Sequence, residues 1–380
     1  MRILHFSRDY TPHDHRILSS LAKTGHRVYY LRLENSQYVF EDRHLPQEIE
    51  VVEWNNSRRS ARWVDGPGML IELKSIAKKI RPDLVQAGPL QRSAFLAALA
   101  GLRPLICMSW GYDLLQDAGR NAIWRQATRF VLSRSDLMIG DCETIRRLAI
   151  SYGMPDQRIV TFPWGIDLEH FSPRMNSTAT DQQVREETFT LLSTRSWEPI
   201  YGVDTIVQAF IQVSQTLPGI RLVMLGNGSL AEELKQRFLN AGIFPSQPSP
   251  DSPKDARVVF PGQVGFSNLP ESYRSSDLYL SASHSDGTSI SLLEAMACGL
   301  PVLVSDIPGN REWVVPGENG WLFQDGDSFA LASAIFEAFS DRNRLIKMGR
   351  NARKSVEGRA DWKINFQKML QAYELVVNEN

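Results

Sequence analysis

Asp277-Leu-Tyr-Leu-Ser281-Ala-Ser-His-Ser-Asp286-Gly-Thr-Ser-Ile290-Ser-Leu-Leu-Glu294-Ala-Met-Ala297-Cys-Gly299-Leu-Pro301-Val-Leu-Val304 reads in order as strand, loop, helix and strand. Leu278 to Ser281 and Pro301 to Val304 are short apolar runs, too brief for helices and suited to strands buried on both faces. Between them Ile290 to Ala297 is small or apolar throughout except for one carboxylate, and Gly299 ends it. Two such strands joined through a helix form a right-handed parallel crossover, so the sheet around them is parallel.

The same rhythm extends in both directions. Toward the N-terminus, Ile3 to Phe6 reads as a strand and Ser7 to His15 as a loop. A helix from about Arg16 to Thr24, closed by Gly25, leads to a strand from Arg27 to Leu33. A helix near Met69 to Ile80 feeds Asp83 to Ala87, one from Ser93 to Ala100 feeds Pro104 to Ser109, and Leu137 to Gly140 is a further strand. After the polar stretch Pro173 to Glu187 a second series begins. It runs through Phe189 to Ser193, a helix near Val203 to Thr216, Arg221 to Leu225, a helix near Leu230 to Ala241 and Arg257 to Phe260. Pro245 to Pro253 is a surface loop, and an amphipathic helix spans about Trp362 to Val377. The expected organisation is a first doubly wound α/β domain over 1–172, a linker over 173–188, a second over 189–360, and a helix over 361–380 packing back toward the first. Ligands of such sheets bind at the carboxyl ends of the strands, here expected to face each other across a cleft.

Bulk numbers narrow the function classes. A length of 380 residues suits two domains, and a net charge of -1 argues against a dedicated nucleic-acid binder. Residues 1–171 carry 23 Lys and Arg against 19 Asp and Glu, the rest 19 against 24, so an anionic partner would favour the first half. Three scattered cysteines build neither a disulfide framework nor a zinc site. With no signal peptide ahead of the first strand and no long apolar run, the expected location is cytoplasmic, at most peripheral on the inner membrane face. No G-x-G-x-x-G follows any expected strand, which sets nicotinamide-dependent oxidation aside.

The chemistry concentrates in the opening segment. Thr288 or Ser289 is a fitting N-cap, and the first-turn amides with the helix dipole form a ready anion site, a diphosphate being the natural anion there. Glu294 is the only charged side chain between Gly287 and Ser305. A lone carboxylate there must be exposed, paired or bound to ligand hydroxyls. Asp286 enters the same helix eight positions earlier. The pair suits a ligand with phosphates in the middle and hydroxyl-rich sugars at both ends.

Asp286-Gly-Thr-Ser-Ile-Ser-Leu-Leu-Glu294-Ala-Met-Ala-Cys-Gly-Leu-Pro301-Val resembles the signature of the retaining glycosyltransferases of family 4. The likeness continues through Ser305-Asp306-Ile-Pro-Gly309, Glu312, Gly317-Glu-Asn-Gly320-Trp-Leu-Phe323 and Pro163-Trp-Gly-Ile-Asp167 to Phe171-Ser-Pro173. The resemblance implies the GT-B fold, two Rossmann-like domains, and transfer from a nucleoside-diphosphate sugar, UDP- or GDP-linked, to a hydroxyl of a glycan or lipid-linked acceptor. It implies that Glu294 takes the ribose hydroxyls, Asp286 the transferred sugar, and the amides near Thr288, Ser289 and Ile290 the diphosphate. Arg195 would stabilise the departing phosphate, Gly226-Asn227-Gly228 would form a close-approach turn, and Val264 would lie near the base. No resident cofactor and no metal are expected.

Departures from the pattern are informative too. Asp286 replaces Glu, Ser289 stands where many relatives have Gly, and Tyr201 occupies the place of the lysine that usually partners Arg195. In the first domain Ser7-Arg8-Asp9-Tyr-Thr-Pro-His13-Asp-His15 replaces a Gly-rich loop, and Ser109-Trp110-Gly-Tyr-Asp113 stands where relatives have a His before Gly. Arg8, Asp9, His13, His15, Trp110 and Asp113 are the expected acceptor contacts, with a packed Trp110 and a helix-capping Asp113 as the competing reading. The basic, aromatic segment Arg120 to Arg134 is the expected site of any membrane contact. Other readings are a sugar-nucleotide epimerase or hydrolase, and a non-catalytic nucleotide-sugar-binding partner.

Overall fold

The computed structural model describes residues 1–34, 41–55, 63–174, 188–247 and 256–378. The chain divides into two compact units, Met1–Trp164 with Lys363–Asn380, and Gly165–Trp362. The linker expected over 173–188 lies mostly outside the described residues, as does much of the loop expected over 245–253.

The first unit is a seven-stranded parallel sheet. Its strands are β1 (Arg2–Ser7), β2 (Arg27–Arg32), β3 (Glu50–Val52), β4 (Leu84–Ala87), β5 (Leu105–Met108), β6 (Leu137–Gly140) and β7 (Ile159–Thr161). They lie in the order β3-β2-β1-β4-β5-β6-β7. The central strands β4, β5 and β6 are buried at every position, which is why they read as short apolar runs broken only by Gln86. β3 and β7 are three-residue edge strands that the sequence reading did not separate from loop.

The first helix starts earlier than its apolar pattern suggests, at Pro12, because Thr11 and Asp14 form a reciprocal capping box and Pro12 presets the first turn. Pro12 to His15 are therefore helical rather than loop. The helix ends at Leu21, so Gly25 is not its terminating residue.

The second unit repeats the winding with six strands. These are β8 (Phe189–Ser193), β9 (Ile220–Leu225), β10 (Val258–Gly262), β11 (Leu278–Ser281), β12 (Val302–Ser305) and β13 (Gly320–Phe323), in the order β10-β9-β8-β11-β12-β13. The direction of winding reverses between β8 and β11, where Leu191 pairs with Leu278 and Leu192 with Tyr279. Loops leaving two such neighbours part from one another and open a crevice at the carboxyl ends.

Residues 165–172 belong to the second unit rather than the first, because Ile166 and Phe171 pack among Tyr273, Leu292, Met296 and Ala360 in one of its cores. Ile166 also pairs through its backbone with Ala360 and Trp362. The helix Trp362–Asn378 enters the first unit, where Tyr373 is fully buried and its hydroxyl donates to the Gln86 side chain on β4. No helix among the described residues is long and apolar enough to cross a membrane.

Candidate functional site

Arg195 and Asp286 sit in the loops that follow β8 and β11, the two strands at the winding reversal of the second sheet. Two close approaches lock these loops together. Gly202 has φ +55°, and a Cβ there would meet the Ala282 carbonyl at 2.1 Å. The His284 amide donates to the Ile200 carbonyl at 2.9 Å. A third loop bears on the same place, since a Cβ on Gly309 would stand 2.2 Å from the Gly287 carbonyl and 2.5 Å from that of Asp286. The Ser305–Gly309 segment that resembles the family motif thus backs the Asp286 turn.

The guanidinium of Arg195 is the hub. Nη2 lies 2.8 Å from Asp286 Oδ2, with the two side chains 12% and 21% exposed. Nη1 donates to Ser289 Oγ at 2.9 Å and Ser291 Oγ at 3.2 Å. Tyr201 lies beneath, its ring centroid 4.0 Å from the guanidinium carbon, so the residue in the lysine's place supplies a π face rather than a charge. Burial works against the charge on Arg195, but the Asp286 carboxylate together with Tyr201, Tyr279 and Tyr273 outweighs it and the pKa is raised. The remaining donor, Nε, is buried with no hydrogen-bond partner among the described residues.

Ser289 is the N-cap of the helix Ile290–Ala297, as read, yet its hydroxyl does not cap. It is turned to Arg195 instead, which leaves the first-turn amides without a side-chain cap. Glu294, one of the expected contacts, is 7% exposed, and its Oε2 accepts from the Tyr273 hydroxyl at 2.8 Å. Burial, then the nearby Glu294 charge, hold that phenol well above its ordinary pKa, so it stays a donor. Tyr279 on β11 donates to Ser291 Oγ at 2.8 Å, and Thr288 is buried. Tyr273, Tyr279 and Ser291 escaped the sequence reading. The available signal was that a tyrosine in a buried strand or helix needs a partner for its hydroxyl.

Gly226-Asn227-Gly228 follows β9 as read, with φ +94° at Gly226, but its first task is support. The Trp197 amide donates to the Asn227 carbonyl at 3.0 Å, and a Cβ on Gly228 would strike the Trp197 carbonyl at 2.4 Å. The turn props the backbone that carries Arg195. Val264, like Phe266 and Ile290, is partly buried against one core of the second unit.

In the first unit the expected acceptor residues lie in the loops after β1 and β5 and the helix start, already engaged to different degrees. Arg8 pairs with Glu34 at 2.5 Å, and Asp9 accepts from the Tyr10 amide at 2.7 Å. His15 Nδ1 is 2.7 Å from the Tyr10 hydroxyl, and its Nε2 is 3.2 Å from Ser19 Oγ. The ring of His13 lies 4.9 Å from that of Trp110, which lies 5.3 Å from Trp164. Burial, then Arg16, push the His13 pKa down to about 3, and its Nδ1 is buried without a partner among the described residues.

Asp113 is the most fully engaged of these residues. It is fully buried, and its carboxylate accepts from Ser109 Oγ at 2.6 Å and from the amides of Leu90, Leu114 and Trp110 at 3.0, 3.0 and 3.3 Å. Engaged by the Ser109 hydroxyl and three backbone amides, it organises the loops after β4 and β5.

Comparison with known proteins places these features. The family described as Glycosyl transferases group 1 matches residues 177–355, and Glycosyltransferase Family 4 matches residues 13–170. An uncharacterized glycosyltransferase of Methanocaldococcus jannaschii is 24% identical over 66% of this chain, a match that spans only 61% of that protein's length. A GDP-mannose-dependent alpha-(1-6)-phosphatidylinositol monomannoside mannosyltransferase of Mycobacterium tuberculosis is 26% identical over 73% of this chain and 71% of its own. The crystal structure of Anabaena HepE in complex with UDP and glucose superposes with a TM-score of 0.78 at 19% identity, covering 98% of this chain and 99% of that one. With two adjoining family matches over its two doubly wound units and a whole-chain likeness to a GT-B structure, the chain belongs to glycosyltransferase family 4 and has the GT-B fold.

Proposed function

We propose that the protein transfers a hexosyl unit, with retention, from a nucleoside-diphosphate sugar to a hydroxyl of a glycan or lipid-linked acceptor. The observation that carries this reading is the buried Arg195, its Nε without a partner among the described residues, beside Asp286 at a helix start that its N-cap Ser289 does not cap. A cation with a spare donor and free amides at a sheet's carboxyl end is suited to a diphosphate leaving group. Asp286 is the proposed contact to the transferred sugar, and Glu294, fixed by Tyr273, the contact to the ribose hydroxyls. Attack on the face from which the diphosphate departs lets the leaving phosphate oxygen take the acceptor proton, so no side-chain nucleophile is required. Arg195 and the amides carry the departing charge without a metal in this reading.

The mannosyltransferase relative, whose name gives a phosphatidylinositol monomannoside as its substrate, supports a lipid-linked acceptor. Synthesis of a surface polysaccharide or glycolipid at the cytoplasmic membrane face fits that choice.

Thermal stabilisation of the wild type and Glu294→Ala by a panel of nucleoside diphosphates and their sugars tests the reading. Stabilisation by one nucleotide that disappears in the variant supports the donor site and names the base. No stabilisation of a folded sample by any nucleotide removes it. Free sugar or an isomerised donor as sole product would instead favour a hydrolase or epimerase.

A further inference from the structure

The first unit holds a cavity of about 390 Å³ that the donor chemistry does not use. Its wall is hydrocarbon, from Leu33 after β2, Met69 and Leu70 on the helix Gly66–Ile80, and Phe95, Leu96 and Leu99 on the helix Phe95–Leu99. A cavity of ~150 Å³ with such walls stays dry and takes a benzene ring. On that scale this one has room for a chain of about fifteen carbons. Leu99 lines the cavity and is also 43% exposed, so the space opens to the surface there.

The polar side chains at the wall are Gln91 and Arg92. The Arg92 guanidinium lies 5.3 Å from the Trp124 ring centroid, and that of Arg120 lies 5.5 Å from it. Asp117 feels Arg92, then Arg120 and Arg8; Arg8 is already paired with Glu34, so Arg92 and Arg120 face one carboxylate and the rim stays positive. The neighbouring helices carry large apolar side chains in water: Ile71 is 73% exposed and Ile123 is 76% exposed. Ile123 shares the helix Ala122–Arg134 with exposed Arg125 and Arg129. Bare aliphatic groups among arginines and a tryptophan match a bilayer's headgroup boundary.

We propose that this cavity takes the hydrocarbon chain of a phosphate-bearing lipid, whose phosphate is met by Arg92 and Arg120 beside Trp124. An apolar cavity alone would accept any oily molecule; the cationic rim selects an anionic headgroup. As the seat of an acceptor the site rests on the transfer reading above, but as a lipid site it does not.

The test is calorimetric titration of the whole chain with dodecyl phosphate, with dodecanol and inorganic phosphate as separate arms. Dodecyl phosphate is expected to bind saturably, one per chain, with a negative heat-capacity change from chain burial. Dodecanol should bind at least tenfold more weakly, and inorganic phosphate should give no measurable heat. Arg92→Gln should bring dodecyl phosphate down to the affinity of dodecanol. Leu96→Trp and Leu99→Trp fill the space from inside and from the rim, and each should weaken dodecyl phosphate at least tenfold. Unchanged melting shows that a variant is folded, and the rim variant needs no core space. Non-saturable uptake, or binding as tight as the wild type's in both filled variants, overturns the proposal, as does indifference to Arg92→Gln. Nucleoside-diphosphate binding is measured on the same samples. Its absence beside intact dodecyl phosphate binding sinks the transfer reading alone, and the reverse pattern sinks the lipid site alone.

Discussion

Replacing Arg195 with alanine isolates the diphosphate contact from the rest of the donor site. Before a ligand arrives, Nη2 stands in ion-pair contact with Asp286 and Nη1 donates to Ser289 and Ser291, while Nε is buried with no hydrogen-bond partner among the described residues. A diphosphate that meets this group therefore gains one charge-assisted hydrogen bond not already made, about 1.5–3 kcal/mol. That converts to a roughly 10- to 150-fold loss of nucleoside-diphosphate affinity in Arg195→Ala. The matching monophosphate lacks the outer phosphate and should weaken by less than about threefold.

The fold is affected separately. Asp286 loses its partner while 21% exposed, a loss of about 1–3 kcal/mol, below the ~3–5 of a fully buried pair. Calorimetry with both nucleotides and chemical denaturation of the single and double variants read the two effects. Arg195→Ala/Asp286→Ala should recover stability but not diphosphate affinity. Equal losses for mono- and diphosphate, or none, would refute the assignment of Nε to the leaving group.

Three further outcomes follow from other parts of the site. Glu294→Gln keeps an acceptor for Tyr273 but loses the charge, so it should weaken nucleotide binding about tenfold or more and leave a 2′,3′-dideoxy analogue unaffected; calorimetry with both ligands checks this. Gly309→Ala pushes a methyl into the Asp286–Gly287 backbone, with an expected loss of about 1–3 kcal/mol and slower sugar transfer at nearly unchanged nucleotide affinity. His13 takes a proton near pH 6.5 when unfolded and only near 3 when folded, so the unfolded chain binds more protons between those values. Stability should therefore fall on acidification through that window by up to about 1.4 kcal/mol per pH unit. His13→Phe should remove that part of the slope in denaturation curves taken at pH 4 to 6, and an unchanged slope would show that the ring is solvated.

The crossover from Leu278 to Val304 was legible because both strands are buried on both faces and the helix between them is apolar and ends at a glycine. The edge strands β3 and β7 were not, since a three-residue strand with one neighbour and partial exposure leaves no period to read. The early start of the first helix was written in Thr11-Pro12-His13-Asp14, where local capping prevailed over the apolar spacing. At the site, Glu294 stood out as the lone charge on an apolar helix, Asp286 as the carboxylate in the loop entering it, and Arg195 through the resemblance to the family. Tyr273, Ser291 and the stacking of Tyr201 depended on contacts 21, 96 and 6 positions away, which no local pattern carries. Asp113 stayed open between two readings because a polar residue after a strand serves ligands and backbone amides equally well until its burial is known.

The assignment of Lys363 onward to the first unit makes the second unit an insertion within the first. During synthesis the ribosome releases residues 1–164, then the whole of 165–362, before the segment that covers β4 appears. At about 5–20 residues per second the first sheet waits roughly 10–40 s with Gln86 and its neighbours uncovered. The inserted unit, being contiguous, can finish folding in that interval, and the host unit is completed last by residues that the inserted one has delivered.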